Sequence, residues 1–432
     1  MQDNIIGDLL WVLLVTFIIA VFLSNFLKKE KYCLFSPIMF FLLYLVYYVV
    51  IPYTKGHNDV VTGKLLHGEE KLLFGTILML VSFLIAFTAK VKRKYFEKTI
   101  SIYKGTNIAT IALSLFILAF VANGIFSGFS LTFIAEQEYS GEFNEQGSYN
   151  HVEMYLTYLV SLFPASICVM LAIKKKWTAL VMLVVASAIY LIGGFRFRLL
   201  VMFVPIFLMV HLYPKPRRIN WKLWLPLALV FYIGMGIIES TRTYGGGLDI
   251  EKVQSISEGD LSDTSSKENM MVYCFSAQVM DKYSNMSPIL FTPIATAVLM
   301  PIPRVLFPWK PDGMYMRDAN IAVYQTITYG SAFLNITEAY MSFGWFGIVL
   351  YGLLLGYISK IFWVTYLRNK NSIAAIILLG SFNGMLYIAL SRGYMAQDVT
   401  YYVYYILIFC WLSRCVNAFL NKRSRKKVRA AV

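Results

Sequence analysis

The chain has 432 residues, 58% of them apolar and only 15% charged, yet its formal net charge is +15. With a mean hydropathy of +0.61, this excludes an ordinary soluble domain and points to a polytopic helical membrane protein. The charge is not a nucleic-acid signal, because no basic–aromatic RNA motif accompanies it; it sits in short clusters between apolar runs.

Apolar runs of about 17–25 residues give eleven expected spans, at roughly 7–27, 34–53, 72–89, 108–126, 154–173, 177–194, 199–213, 223–239, 342–367, 372–391 and 397–413. The N-terminus is acidic, so the first run is expected to be a span and not a cleaved signal. Spans six and seven are separated only by the Gly193-Gly194-Phe195-Arg196-Phe197-Arg198 turn, which suggests a helical hairpin.

Basic clusters set the orientation. Lys28-Lys29-Glu30-Lys31, the Lys90 to Lys98 segment, Lys174-Lys175-Lys176, Pro214 to Lys222, Arg368 to Lys370 and Lys422 to Arg429 all fall on one side. The expected fold class is therefore an all-α polytopic membrane protein, about eleven transmembrane helices, N-out and C-in. It reads as a single integral membrane domain, 1–432, with outer loops at 54–71, 127–153 and 240–341 and a basic cytoplasmic tail at 414–432. The inner loops are too short to fold a nucleotide-sugar-binding domain. Asp-x-Asp, GxxxxGK[ST] and GxGxxG are absent from the sequence. Chemistry is thus expected on the outer side, on a substrate already in the membrane.

Of the outer loops, 54–71 carries His57, His67, Glu69 and Glu70. Such residues can hold a metal, but a solvated polar loop has the same composition, and no metal is assigned. Of the five cysteines only Cys274 is expected outside, and no zinc spacing occurs. Loop 127–153 is acidic, with Glu136, Glu138, Glu142, Glu145 and Glu153. The long loop, 240–341, is polar at first, then allows an outer helix over 269–283. It turns apolar again from Pro288 to Trp309, where four prolines break it. A re-entrant or interfacial element fits that stretch.

Six arginines fall on the outer side: Arg196, Arg198, Arg242, Arg304, Arg317 and Arg392. Outer arginines run against the usual bias. A guanidinium offers a planar fork to phosphate oxygens, so Arg196, Arg242, Arg304 and Arg392 are candidates for binding a diphosphate, with Arg198 and Arg317 weaker. Interfacial snorkelling explains any one of them equally well. Glu338, at the start of span nine, is the first choice of proton acceptor, with Asp398, Asp318 and Glu239 as alternatives. On a continuous helix Glu338, Met341, Ser342 and Trp345 share a face. Tyr340, Tyr394 and Asp398 are candidates for binding substrate; with 30 tyrosines in the chain, the rival role of interface anchor stays open.

The Gly-Gly-Phe-Arg-Phe-Arg turn (193–198), the Ile-Pro-Arg…Pro-Trp-Lys-Pro stretch (302–311) and Thr-Glu-Ala-Tyr…Phe-Gly-Trp-Phe-Gly (337–347) resemble the oligosaccharide repeat-unit polymerases of bacterial surface polysaccharides, the Wzy or O-antigen polymerase family. The resemblance implies a GT-C-like, metal-independent, inverting glycosyltransferase of the bacterial cytoplasmic membrane, without cofactor. It would join undecaprenyl-diphosphate-linked oligosaccharide units on the outer face, among membrane lipids and with a chain-length regulator as partner. Within it, Glu338, Arg304 and Arg196 become the catalytic candidates. The His-x7-Glu-Gly pattern of some members is absent, so a histidine base is not implied. An O-antigen ligase, a lipid-linked oligosaccharide flippase and an assembly scaffold are the alternatives. The flippase would carry charges within its spans and internal repeats; here most charges fall outside the spans and no repeat is seen.

Overall fold

The computed structural model describes residues 5–27, 33–102, 107–126, 158–192, 196–216, 267–283, 288–299, 314–324, 332–391 and 393–430, together with isolated positions between 222 and 309. The regular secondary structure of the described residues is helical apart from a two-residue antiparallel pairing of Arg242–Thr243 with Gly247–Leu248 and one isolated bridge, Asn58 to Leu65. The helices in chain order are α1 (Ile5–Leu27), α2 (Pro37–Thr54), α3 (Glu69–Thr88), α4 (Ile108–Phe126), α5 (Tyr158–Ala172), α6 (Lys176–Ile192) and α7 (Arg196–Leu212). They continue as α8 (Lys267–Lys282), α9 (Thr292–Leu299), α10 (Met314–Tyr324), α11 (Asn335–Arg368), α12 (Ile373–Ser391) and α13 (Met395–Lys422), the last running on to Ala430.

Seven described helices are long and apolar enough to cross a membrane: α1 to α4 and α11 to α13. Helices α5, α6 and α7 are apolar but shorter. The span expected at 223–239 lies outside the described residues. The outer helix expected over 269–283 is α8. Of the proline-broken stretch 288–309, the structure describes the eight-residue α9; most positions after Leu299 in that stretch, Arg304 included, lie outside the described residues.

Close packing comes from glycine. Span α11 runs beside α3, where a side chain on Gly352 would press on the Met79 carbonyl and one on Gly356 would overlap that of Phe83. Helix α12, buried along its whole length, meets α7 the same way: Gly380 faces Pro205 and Gly384 faces Val201. Both pairs have the four-residue spacing that lets two helices approach backbone to backbone in an apolar medium.

Helix α11 is not one rod. Phe343 and Gly344 leave helical geometry, and Gly344 takes φ +60° and ψ −143°, which a side chain resists. Segment 335–343 folds back along span 345–368. Gly347 sits so close to the Ala339 carbonyl that a Cβ would overlap it. Asn335 Nδ2 donates to Tyr351 Oη at 3.2 Å, although sixteen residues of straight helix would separate them by about 24 Å. Residues 335–343 are thus a folded-back arm, and Asn335 lies about 12 Å along it from the turn, at 1.5 Å per residue. The shared helical face also needs correction. Glu338, Met341 and Ser342 are buried together, but Trp345 lies beyond the turn and is 37% exposed.

Candidate functional site

Glu338 sits halfway along the arm and is 1% exposed. A buried carboxylate is costly unless hydrogen-bonded, and Glu338 is held on both oxygens. The backbone N–H of Met395, in the first turn of α13, donates to Oε1 at 3.1 Å and to Oε2 at 2.9 Å. A helix N-terminus favours negative charge. The Tyr315 hydroxyl, carried by α10, donates to Oε1. Burial, with the Glu338 carboxylate beside it, pushes the Tyr315 phenol well above its ordinary range, so it remains a donor.

Asp398 lies one turn into α13 and is also buried. Asn335 Nδ2 donates to Asp398 Oδ2, and the Tyr351 hydroxyl donates to the Ala389 carbonyl at 2.6 Å. The Asn335 and Thr337 side-chain oxygens are buried and have no hydrogen-bond partner among the described residues. The Tyr394 ring lies 6.0 Å from that of Tyr315. Gly393 donates its N–H to the Phe333 carbonyl and packs so tightly on the Phe333 ring that a side chain there would collide with it. The strand before α13 is thereby locked to the base of the arm.

The fold therefore gathers Glu338, Tyr394 and Asp398 into one buried polar cluster. Tyr340 is elsewhere. It joins a half-exposed ladder at the turn, 5.2 Å from Tyr283, 4.8 Å from Trp345, with Phe74 5.1 Å beyond. Asp318 is on the exposed side of α10, away from Glu338. Glu239, Arg304 and Arg392 lie outside the described residues, as do the side chains of Arg196, Arg242 and Arg317. Arg198 is described. It is buried, with its guanidinium 5.7 Å from the Tyr158 ring and 5.8 Å from that of Phe197. Tyr401, one turn after Asp398, packs on both rings, at 5.8 and 5.3 Å.

Sequence reasoning missed Asn335, Tyr315 and Tyr351. Asn335 had a signal, since it precedes Glu338 by three residues on one helical face. Tyr315 had none among so many tyrosines. In the 54–71 loop, His57 Nδ1 meets Glu69 Oε2 at 2.8 Å, and Tyr273 donates to Glu69 Oε1 at 3.1 Å. His67 and Glu70 do not join them, and among the described residues no three of His, Cys, Asp and Glu converge as a metal site would require.

These features define a multi-pass helical membrane protein with buried carboxylates at a folded-back helix. The family model described as O-antigen polysaccharide polymerase Wzy matches residues 4–422, nearly the whole length, and the chain belongs to that family. Comparison with curated proteins and with solved structures gives no match. Family membership supports polymerisation of polysaccharide repeat units, glycosyltransferase-type, on lipid-linked oligosaccharides in a membrane.

Proposed function

We propose that this protein polymerises undecaprenyl-diphosphate-linked oligosaccharide units into a surface polysaccharide, O-antigen or capsule, on the outer face of the bacterial cytoplasmic membrane. The reading includes a GT-C-like arrangement of eleven spans, N-out and C-in, with 240–341 outside. The reaction is metal-independent and inverting. A hydroxyl oxygen of one lipid-linked unit attacks the anomeric carbon of another, and the bond from that carbon to the diphosphate oxygen breaks. Undecaprenyl diphosphate leaves with the electron pair, its charge met by Arg196, Arg242, Arg304 and Arg392. The hydroxyl proton passes to the Glu338 carboxylate, while Tyr394, Asp398 and Tyr340 hold sugar.

The observation that supports this most is the meeting of Glu338, Asp398 and Tyr394, from two distant parts of the chain, at the root of the arm in a chain of this family. The test is turnover by purified protein of the lipid-linked unit extracted from its host, read as released undecaprenyl diphosphate. Glu338→Gln should lower turnover about 10²–10⁴-fold, the usual worth of general-base catalysis, and chelator should leave the wild type unchanged. Full turnover in Glu338→Gln would remove Glu338 as the base, and chelator inhibition would remove metal independence.

A further inference from the structure

The described state closes over Glu338. The cover is α10, an eleven-residue helix whose Tyr315, Ala319, Asn320 and Val323 face inward while Asp318, Ile321 and Ala322 are exposed. It lies on a small apolar cluster, separate from the main core, built with Phe275, Val279, Ala297, Phe333 and Tyr394. Its far end is held by Tyr324, whose ring stacks on Phe275 at 5.5 Å, and by Lys282 Nζ, which donates to the Val323 carbonyl at 2.9 Å. A short helix resting on a satellite cluster belongs to the low-stability end of a fold, where local opening is cheapest.

What α10 places on Glu338 has the chemistry of the substrate. Tyr315 offers a hydroxyl that donates to the carboxylate and a six-membered ring beside Tyr394. A saccharide brings the same two features: a hydroxyl for a carboxylate and a ring face for an aromatic side chain. On the arm itself, the side-chain oxygens of Asn335 and Thr337 have no partner among the described residues, and Asn335, three residues before Glu338 on its helical face, would accept a further hydrogen bond from a hydroxyl.

We propose that Tyr315 is an internal stand-in for the acceptor saccharide, and that the acceptor binds by displacing α10 and placing its own hydroxyl on Glu338. This rests on the reading of Glu338 as the group that takes the acceptor's proton. Tyr315 is then a competitor of the substrate, not a catalytic residue, and the acceptor site is the space its ring fills.

Two measurements test the idea. In Tyr315→Phe the competing hydrogen bond to a charged group is gone, so KM for the host-extracted lipid-linked unit should fall about tenfold while kcat stays within about twofold. A fall in kcat of about tenfold or more with KM unchanged would overturn the proposal and make Tyr315 a positioning residue. Should Tyr315→Phe elute as aggregate, Ala319→Cys decides. Ala319 is buried on the inner face of α10. In an otherwise cysteine-free, active protein, saturating lipid-linked unit should speed maleimide labelling of Ala319→Cys severalfold. Labelling that is unchanged or slowed would overturn the proposal. If instead Glu338→Gln retains full turnover, the parent reading fails, and the labelling rate still reports on α10.

Discussion

Two glycines at the α11 turn allow the fold-back to be tested with one substitution in two places. At Gly344 an added Cβ would have open space, with nothing within 4 Å, and the obstacle is the backbone, φ +60° and ψ −143°. Gly344→Ala therefore costs about 1–3 kcal/mol of conformational strain and leaves the arm where it is. At Gly347 no positive φ is involved, but a Cβ would overlap the Ala339 carbonyl. That neighbour is backbone and cannot rotate away. The arm must slide by an amount on the order of 1 Å, enough to cost about 10²-fold in turnover when a reacting group is misplaced. Overpacking of this kind also costs about 1–3 kcal/mol. Both variants should thus show similar losses in a thermal melt in detergent, while undecaprenyl diphosphate release collapses only in Gly347→Ala, because Ala339 is the residue after Glu338. Wild-type turnover in Gly347→Ala would show that the arm does not lie against the span. Equal loss in both variants would make stability, not the position of Glu338, the governing quantity.

Asp398→Asn keeps an acceptor for Asn335 and should lower turnover by about tenfold at most, the effect of one conversion from a charged to a neutral hydrogen bond. Asp398→Leu leaves one of the two hydrogens of the buried Asn335 amide without an acceptor, the other still reaching Tyr351, and should cost about 1–3 kcal/mol of stability, measured by the same melts. If Asp398→Asn is as inactive as Glu338→Gln, the two carboxylates must exchange roles. Thiol labelling checks the burial of Cys274 in α8 and, through Cys415, the orientation. Burial pushes the Cys274 thiol up to about 12, so at pH 8 only about one molecule in 10⁴ is thiolate and maleimide should pass it by. Cys415 is exposed. In a Cys33→Ser background an impermeant maleimide should reach Cys415 in inside-out vesicles and not in intact cells; the reverse pattern would invert the proposed topology.

The helices that cross were legible because a span is a composition: about twenty apolar residues read the same whatever they pack against. The glycine pairs 352/356 and 380/384 went unread in the sequence, although helix approach in lipid needs small residues at that spacing. The fold-back was not legible. Phe343-Gly344-Trp345-Phe346-Gly347 is apolar and continuous with the span, and hydropathy carries no sign of direction. The break at Phe343–Gly344 and the contacts of Gly347 with Ala339 and of Asn335 with Tyr351 reveal it. Glu338 and Asp398 were singled out because a carboxylate beside an apolar run is rare and therefore conspicuous, whereas Tyr394 was one candidate ring among many. Tyr315 was invisible for the opposite reason. Its role depends on α10 being laid across the arm by contacts with α8, which are long-range and leave no local pattern.

The arm also bears on how a lipid-linked sugar could meet a buried carboxylate. The half-exposed rings of Tyr340, Trp345 and Phe74 gather at the α11 turn, as aromatic residues do at a membrane–water interface. Glu338 is five residues from Phe343, so the helical rise places it about 7–8 Å beneath those rings. On the proposed topology that is the boundary between headgroups and acyl chains, about 5–10 Å deep. A diphosphate anchored by an undecaprenyl tail rides at that level, and the sugar attached to it is held there by its own lipid. A base at the tip of a solvated loop would sit above this sugar, and one in mid-span would sit below it. An arm that rises a turn and a half from Glu338 before reversing into a span holds the carboxylate at the intermediate depth. It also brings the carboxylate against the α13 N-terminus, where backbone N–H groups can hold its charge.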